Sequence, residues 1–141
     1  MIAELTLPVA NASPALFTLY ETGAGPGAIL NQDATLNSPW NPATGGSVLV
    51  LYATGTGQTN PPGADGVVSG STLSTSVLPV SVQIGGLNVQ VLYAGSAPGL
   101  ISGVLQVNCK IPDGSPSGSA VPVMLTAGTF KSVPGVTVSI R

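Results

Sequence analysis

The side chains able to do chemistry are few, and their types and spacing restrict what they could do. Histidine is absent from all 141 residues, so the commonest general base and metal ligand is missing. Neither a Ser-His-Asp nor a Cys-His relay can be assembled. The carboxylates Glu4, Glu21, Asp33, Asp65 and Asp113 lie far apart in the chain. The three aspartates fall in turn-like stretches, where a short acid bonds its own backbone. There is no G-x-S-x-G elbow. Gly55-Thr56-Gly57 lacks the third glycine and the following helix of a dinucleotide loop, so it reads as the end of a strand. No enzyme is expected from this set.

Four further groups carry weaker signals. Asn31, Asp33, Thr35 and Asn37 set oxygen-bearing side chains at alternate positions, as calcium loops do, but the sixth-place glycine and the distal glutamate are missing. On a strand the same spacing is simply one polar face. Cys109 shares a face with Leu105, Val107 and Ile111, which makes it a small core hydrophobe rather than a nucleophile. Lys110 and Asn108 share the opposite face; an isopeptide bond between such residues needs a buried carboxylate close by. Trp40, between Pro39 and Pro42, together with Tyr52 and Tyr93, could form a stacking platform for a sugar or pack over an edge.

Charged residues are only 6% of the chain and the net charge is −2. The cations Lys110, Lys131 and Arg141 are too few and too scattered to form a basic patch, so nucleic acid is not an expected partner. A surface of Ser, Thr, Asn and Gln opposes contact with other copies only weakly. A lone cysteine leaves no internal disulfide and does not fix the redox compartment. No stretch approaches the roughly 20 apolar residues of a membrane-crossing helix. The opening Met1 to Leu7 lacks a basic region and a cleavage site, and reads as a strand rather than a signal peptide.

The elements that must position these groups are all strands. Val48 to Ala53 is an unbroken apolar run between Gly45-Gly46 and Gly55, too short for a stable helix; it is the expected central strand. Residues 2–9 alternate and read as a half-buried strand ending at Pro8, and residues 16–20 as a second strand. Residues 28–31 and 35–37 flank a hairpin tip at Gln32-Asp33-Ala34. Residues 58–76 read as a long surface loop with at most one small strand. Val80 to Ile84 and Val89 to Tyr93 form a hairpin around Gly85-Gly86. Strands over residues 105–111, 120–127 and 133–140 complete the chain. Short strands separated by turn signals, with no helical period, indicate a single immunoglobulin-like antiparallel β-sandwich over residues 1–141; a closed barrel is the rival.

Several landmarks occur together and in order. They are Ala12-Ser13-Pro14-Ala15-Leu16-Phe17-Thr18, Ala28-Ile29-Leu30-Asn31-Gln32-Asp33, Asn41-Pro42-Ala43 and Leu51 to Gly57. Val82-Gln83-Ile84-Gly85-Gly86, Leu92-Tyr93-Ala94-Gly95, Ala97-Pro98-Gly99, Gln106-Val107-Asn108, and Ile111-Pro112 with Gly118 follow. Over roughly residues 12–140 the chain resembles the Solibacter-type C-terminal domain of large secreted acidobacterial proteins. The Gly45-Gly46 strand followed by Gly55 is also similar to IPT/TIG immunoglobulin-like domains. The resemblance implies a secreted, non-catalytic β-sandwich and brings no site residues; Cys109 stands where that pattern has an aliphatic residue.

The expectation is therefore an extracellular or cell-surface structural or adhesion module. Its partners would be other copies or the remainder of a surface protein. Ile2, Leu5 and Leu7 would form the assembly strand, paired with a neighbour's open sheet edge. The alternative is a carbohydrate-binding module using Trp40, Tyr52 and Tyr93.

Overall fold

A strand forms here wherever side chains alternate between core and surface, and it stops wherever Gly or Pro removes a side chain or a donor. The computed structural model describes residues 4–141, and among these the chain forms strands and no helix. Three short pieces come first: β1 (Ala15–Leu16), β2 (Gly25–Pro26) and β3 (Ile29–Leu30). The first long strand is β4 (Val48–Thr54). β5 (Thr59–Asn60) and β6 (Thr75–Ser76) bracket the long loop, and β7 (Val80–Ile84) and β8 (Leu87–Ser96) make the hairpin. β9 (Leu105–Lys110), β10 (Gly118–Ala127), β11 (Phe130–Lys131) and β12 (Val136–Ile140) follow. No helix among the described residues is long and apolar enough to cross a membrane.

The strands follow one hydrogen-bonded path, β1-β4-β9-β8-β7-β10-β12-β2, that curls into a half-barrel. Pairing is antiparallel throughout except where β2 runs parallel to β12 and where Ala43 bridges Ile140. The two ends of the path approach each other. Thr18, just past β1, bridges Gly27, just past β2. Ala28 N donates to Phe17 O at 2.8 Å and Leu19 N to Pro26 O at 3.0 Å.

The inner face follows from register. Leu49, Leu51 and Ala53 of β4 stand opposite Cys109, Val107 and Leu105 of β9, and all six are buried. Across the interior lie Val82, Ile84, Val123, Leu125, Val136, Val138 and Ile140. Each such aliphatic side chain contributes roughly 1.5–3 kcal/mol on burial.

The central strand, the Gly85-Gly86 hairpin and the Gln32-Asp33-Ala34 tip stand where the sequence placed them. Other expectations are corrected. Residues 4–10 lie in no strand and are exposed, because no strand of the same copy runs beside them; Ile2 lies outside the described residues. The strand expected at 16–20 shrinks to β1, since beyond the bond from Phe17 N to Tyr52 O the chain leaves β4 and pairs Thr18 with Gly27. The long loop carries two small strands rather than one, because its ends, β5 and β6, pair with each other. The last strand starts at Val136, after Pro134-Gly135, and residues 130–131 fold back on β10 instead.

Gly55 illustrates how the chain's start is fastened. Ser13 N donates to Gly55 O at 2.8 Å, and a Cβ on Gly55, which sits at φ +75, would collide with the Ser13 carbonyl. Gly57, at φ +85, faces the Asn11 carbonyl in the same way. Gly86 is equally left-handed, at φ +82, but nothing lies near its missing Cβ. Backbone strain of about 1–2 kcal/mol is common to both Gly55→Ala and Gly86→Ala. Of these two, only Gly55 adds a collision. In urea denaturation Gly55→Ala is expected to cost at least about 1 kcal/mol more than Gly86→Ala; equal losses would contradict this fastening.

Candidate functional site

The N-terminal segment is the first unusual feature. Leu5, Leu7 and Val9 are 78%, 68% and 93% exposed, and residues 4–10 pair with no strand. In an extended conformation, alternation would put these three side chains on one face. At Ala12, which is buried, the chain becomes anchored.

Trp40 is the second. It is 95% exposed at the tip of a tight turn closed by two backbone bonds, Asn41 N to Ser38 O at 3.0 Å and Ser38 N to Asn41 O at 3.3 Å. Pro39 presets the turn. Beneath it lies an amide network. Asn31 Nδ2 donates to Asn41 O, Asn37 Nδ2 donates to Asn31 Oδ1 and to Ser139 O, and Ser139 N donates to Asn37 Oδ1, all at 2.8–2.9 Å. Asn31 and Asn37 are buried, and among the described residues no buried side-chain N or O atom lacks a partner.

That network settles where the four oxygen-bearing residues of the calcium pattern stand. Asn31 and Asn37 turn inward to hold the turn. Asp33 and Thr35 are exposed at the hairpin tip, where Thr35 donates to Asp33 Oδ1 through its hydroxyl and its N–H. The Thr35 hydroxyl, then its backbone N–H, hold the Asp33 carboxyl below its ordinary range. Among the described residues no three His, Cys, Asp or Glu side chains cluster.

Tyr52 and Tyr93 share the exterior face of the central strands. Tyr52 stands opposite Gln106 and Tyr93 opposite Asn108, so the β9 amides lie between them, with Gln106 Nε2 donating to Asn108 Oδ1 at 2.9 Å. Phe17, whose N–H bonds Tyr52 O, extends the aromatic row. The Tyr93 hydroxyl donates to Ser96 O at 2.8 Å. Trp40 belongs to a different element and is not brought onto this face.

A cleft of about 340 Å³ opens where β4 ends. Its walls are Thr54 to Gly57, the loop at Pro61 to Thr72, and Ser102 to Leu105. No lining residue is charged. Exposed Val67, Val68 and Ile101 stand around it, with Ser102 N donating to Val67 O at 2.7 Å to hold the loop in place. No local pattern in the sequence signals this cleft, because its walls come from three separated segments.

The chemical groups are dispersed. Glu4, Glu21, Asp33, Asp65 and Asp113 are all exposed and stand on separate segments, so Lys110 and Asn108 have no buried carboxylate beside them. Cys109 is fully buried, and burial alone pushes its thiol from 9.0 up to about 12. No family model, curated protein or solved structure matches this chain.

The Cys109 shift has a measurable consequence. The folded thiol keeps its proton up to about pH 12, whereas the unfolded chain begins to lose it near pH 9. Between these values the unfolded state binds fewer protons, so stability falls as pH rises. The slope approaches about 1.4 kcal/mol per pH unit. In denaturation from about pH 8 to pH 11, Cys109→Val is expected to remove this part of the alkaline loss; an unchanged slope would contradict it.

Proposed function

We propose that this chain is a non-catalytic extracellular structural module. In this reading the single curled sheet serves as an immunoglobulin-like, sandwich-type module whose copies join by β-strand pairing into a surface or filament assembly. The observation that carries the reading is the segment at residues 4–10. Three large apolar side chains, Leu5, Leu7 and Val9, are exposed at alternate positions on it, and its backbone lies in no strand. Such a segment presents unpaired N–H and C=O groups with one apolar face, which is what an open sheet edge of a neighbour accepts. The near absence of charge supports the same reading, because little repulsion opposes contact between copies. A secreted location is favoured by the resemblance to acidobacterial C-terminal domains.

Removal of residues 4–9 leaves the Ser13–Gly55 fastening in place and takes away only the unpaired segment. The shortened protein is expected to stay monomeric in light scattering under conditions where the full chain assembles. Assembly of both to the same size would refute strand exchange.

A second reading, as a glycan-binding module, is favoured by one observation: Tyr52 and Tyr93 flank the Gln106 and Asn108 amides on one exterior face. Aromatic faces with adjacent hydrogen-bonding amides suit a sugar ring. On a glycan array Tyr52→Ala would then lose binding that Cys109→Val retains; full affinity in both would end that reading.

A further inference from the structure

We propose that Phe17, Tyr52, Gln106 and Tyr93 form one binding row that takes an uncharged, equatorially linked sugar chain laid across the strands. This rests on the glycan-binding reading and adds to it the linkage, length and direction of the ligand.

Register sets the row. Leu16 stands opposite Ala53 and Phe17 N bonds Tyr52 O, so Phe17 and Tyr52 are neighbours across β1 and β4. Tyr52 stands opposite Gln106 of β9, and Gln106 opposite Gly95 of β8. Leu16, Ala53 and Leu105 are buried in the core, which leaves Phe17, Tyr52 and Gln106 on the exterior. Tyr93 starts two residues away, opposite Asn108, but its ring returns to the row. A Cβ on Gly95 would stand 2.6 Å from Tyr93 Oη and 2.9 Å from its Cζ, so the phenol end covers Gly95. The bond from the Tyr93 hydroxyl to Ser96 O, at 2.8 Å, holds it there. An aromatic ring laid over a strand glycine is a fixed ring. Three strand spacings of roughly 4.8 Å make the row about 14 Å long. A pyranose ring in an extended chain advances by close to one such spacing, so the row has room for about three rings.

The groups suit that ligand. Phe17 and Tyr52 supply flat apolar faces. An equatorially substituted pyranose carries axial C–H bonds, so each ring has an apolar face to stack and a rim of hydroxyls. Between the aromatic positions stand the β9 amides. Gln106 Nε2 is engaged with Asn108 Oδ1; among the described residues Gln106 Oε1 and Asn108 Nδ2 bond no protein group, which leaves one acceptor and one donor for rim hydroxyls. Phe17 is 41% exposed, and Tyr52, Gln106 and Tyr93 are half-buried, packed at their sides and open above. The row itself holds no charge. Lys110, the cation of β9, stands four residues from Gln106, so the row matches an uncharged chain and not an acidic one. Proline-rich peptides also dock on aromatic side chains, but in grooves, whereas this row lies on the open exterior of the sheet.

The test is titration calorimetry of the 141-residue chain with β-linked glucose oligomers of the cellulose linkage, from one ring upward. Oligomers of the α linkage and a proline-rich peptide are run beside them. Affinity for the β-linked series is expected to rise at least about 10-fold from one ring to three and to level off beyond about four, where the row ends. Tyr52→Leu keeps the apolar bulk on the sheet without the flat face, and is expected to weaken three-ring binding at least about 10-fold, as loss of an aromatic anchor does. Trp40→Ala, on another surface, is expected to leave it unchanged. Equal affinity for one ring and three, or a preference for the α linkage, would overturn the row while leaving a glycan site at Tyr52 standing. Full binding by Tyr52→Leu, binding of the peptide in place of sugar, or no binding of any oligomer would overturn both.

Discussion

Burial of Leu49, Leu51 and Ala53 against the inner row of β9 is the interaction on which the rest of the structure depends. β4 receives β9 along one edge and β1 and β3 along the other, so it sets the register of these three strands. A slip of one residue would turn Val48, Val50 and Tyr52 inward and expose the leucines. Cys109 belongs to this row, which is why its environment is apolar enough to hold the thiol protonated far into the alkaline range.

Cohesion without charge follows from the composition. Five carboxylates and three cations leave ion pairs almost no part, so loops are held by backbone and amide hydrogen bonds. The Asn31–Asn37–Ser139 network ties the first hairpin to the last strand across 102 positions of sequence. The same network makes the Pro39-Trp40 turn rigid. What stabilises the fold therefore also displays the aromatic ring. The surface that results carries little charge, so electrostatic repulsion between copies would be weak.

Period-two alternation and turn residues made most of the fold legible. The strand at 48–53, the 80–93 hairpin and the buried face of 105–111 all declare themselves by pattern. What stayed hidden depended on neighbours. Residues 2–9 alternate as a strand should, yet alternation reports only that one face suits an apolar contact, and residues 4–10 stand in no strand. Asn31 and Asn37 read as one polar face because side-chain amides give no sign in sequence of being satisfied internally. The cleft is formed by three segments meeting in space, which no local pattern reports. Trp40 and the two tyrosines were grouped by residue type, whereas the fold sets them on different surfaces.

The most direct measurement is the mass and shape of the 141-residue chain as a function of concentration, by light scattering coupled to size exclusion with electron microscopy of the same fractions. Strand pairing between copies predicts a mass that climbs with concentration in steps of 13.8 kDa and ordered rods or filaments. A constant mass of one chain at every concentration, with no ordered particles, would contradict it.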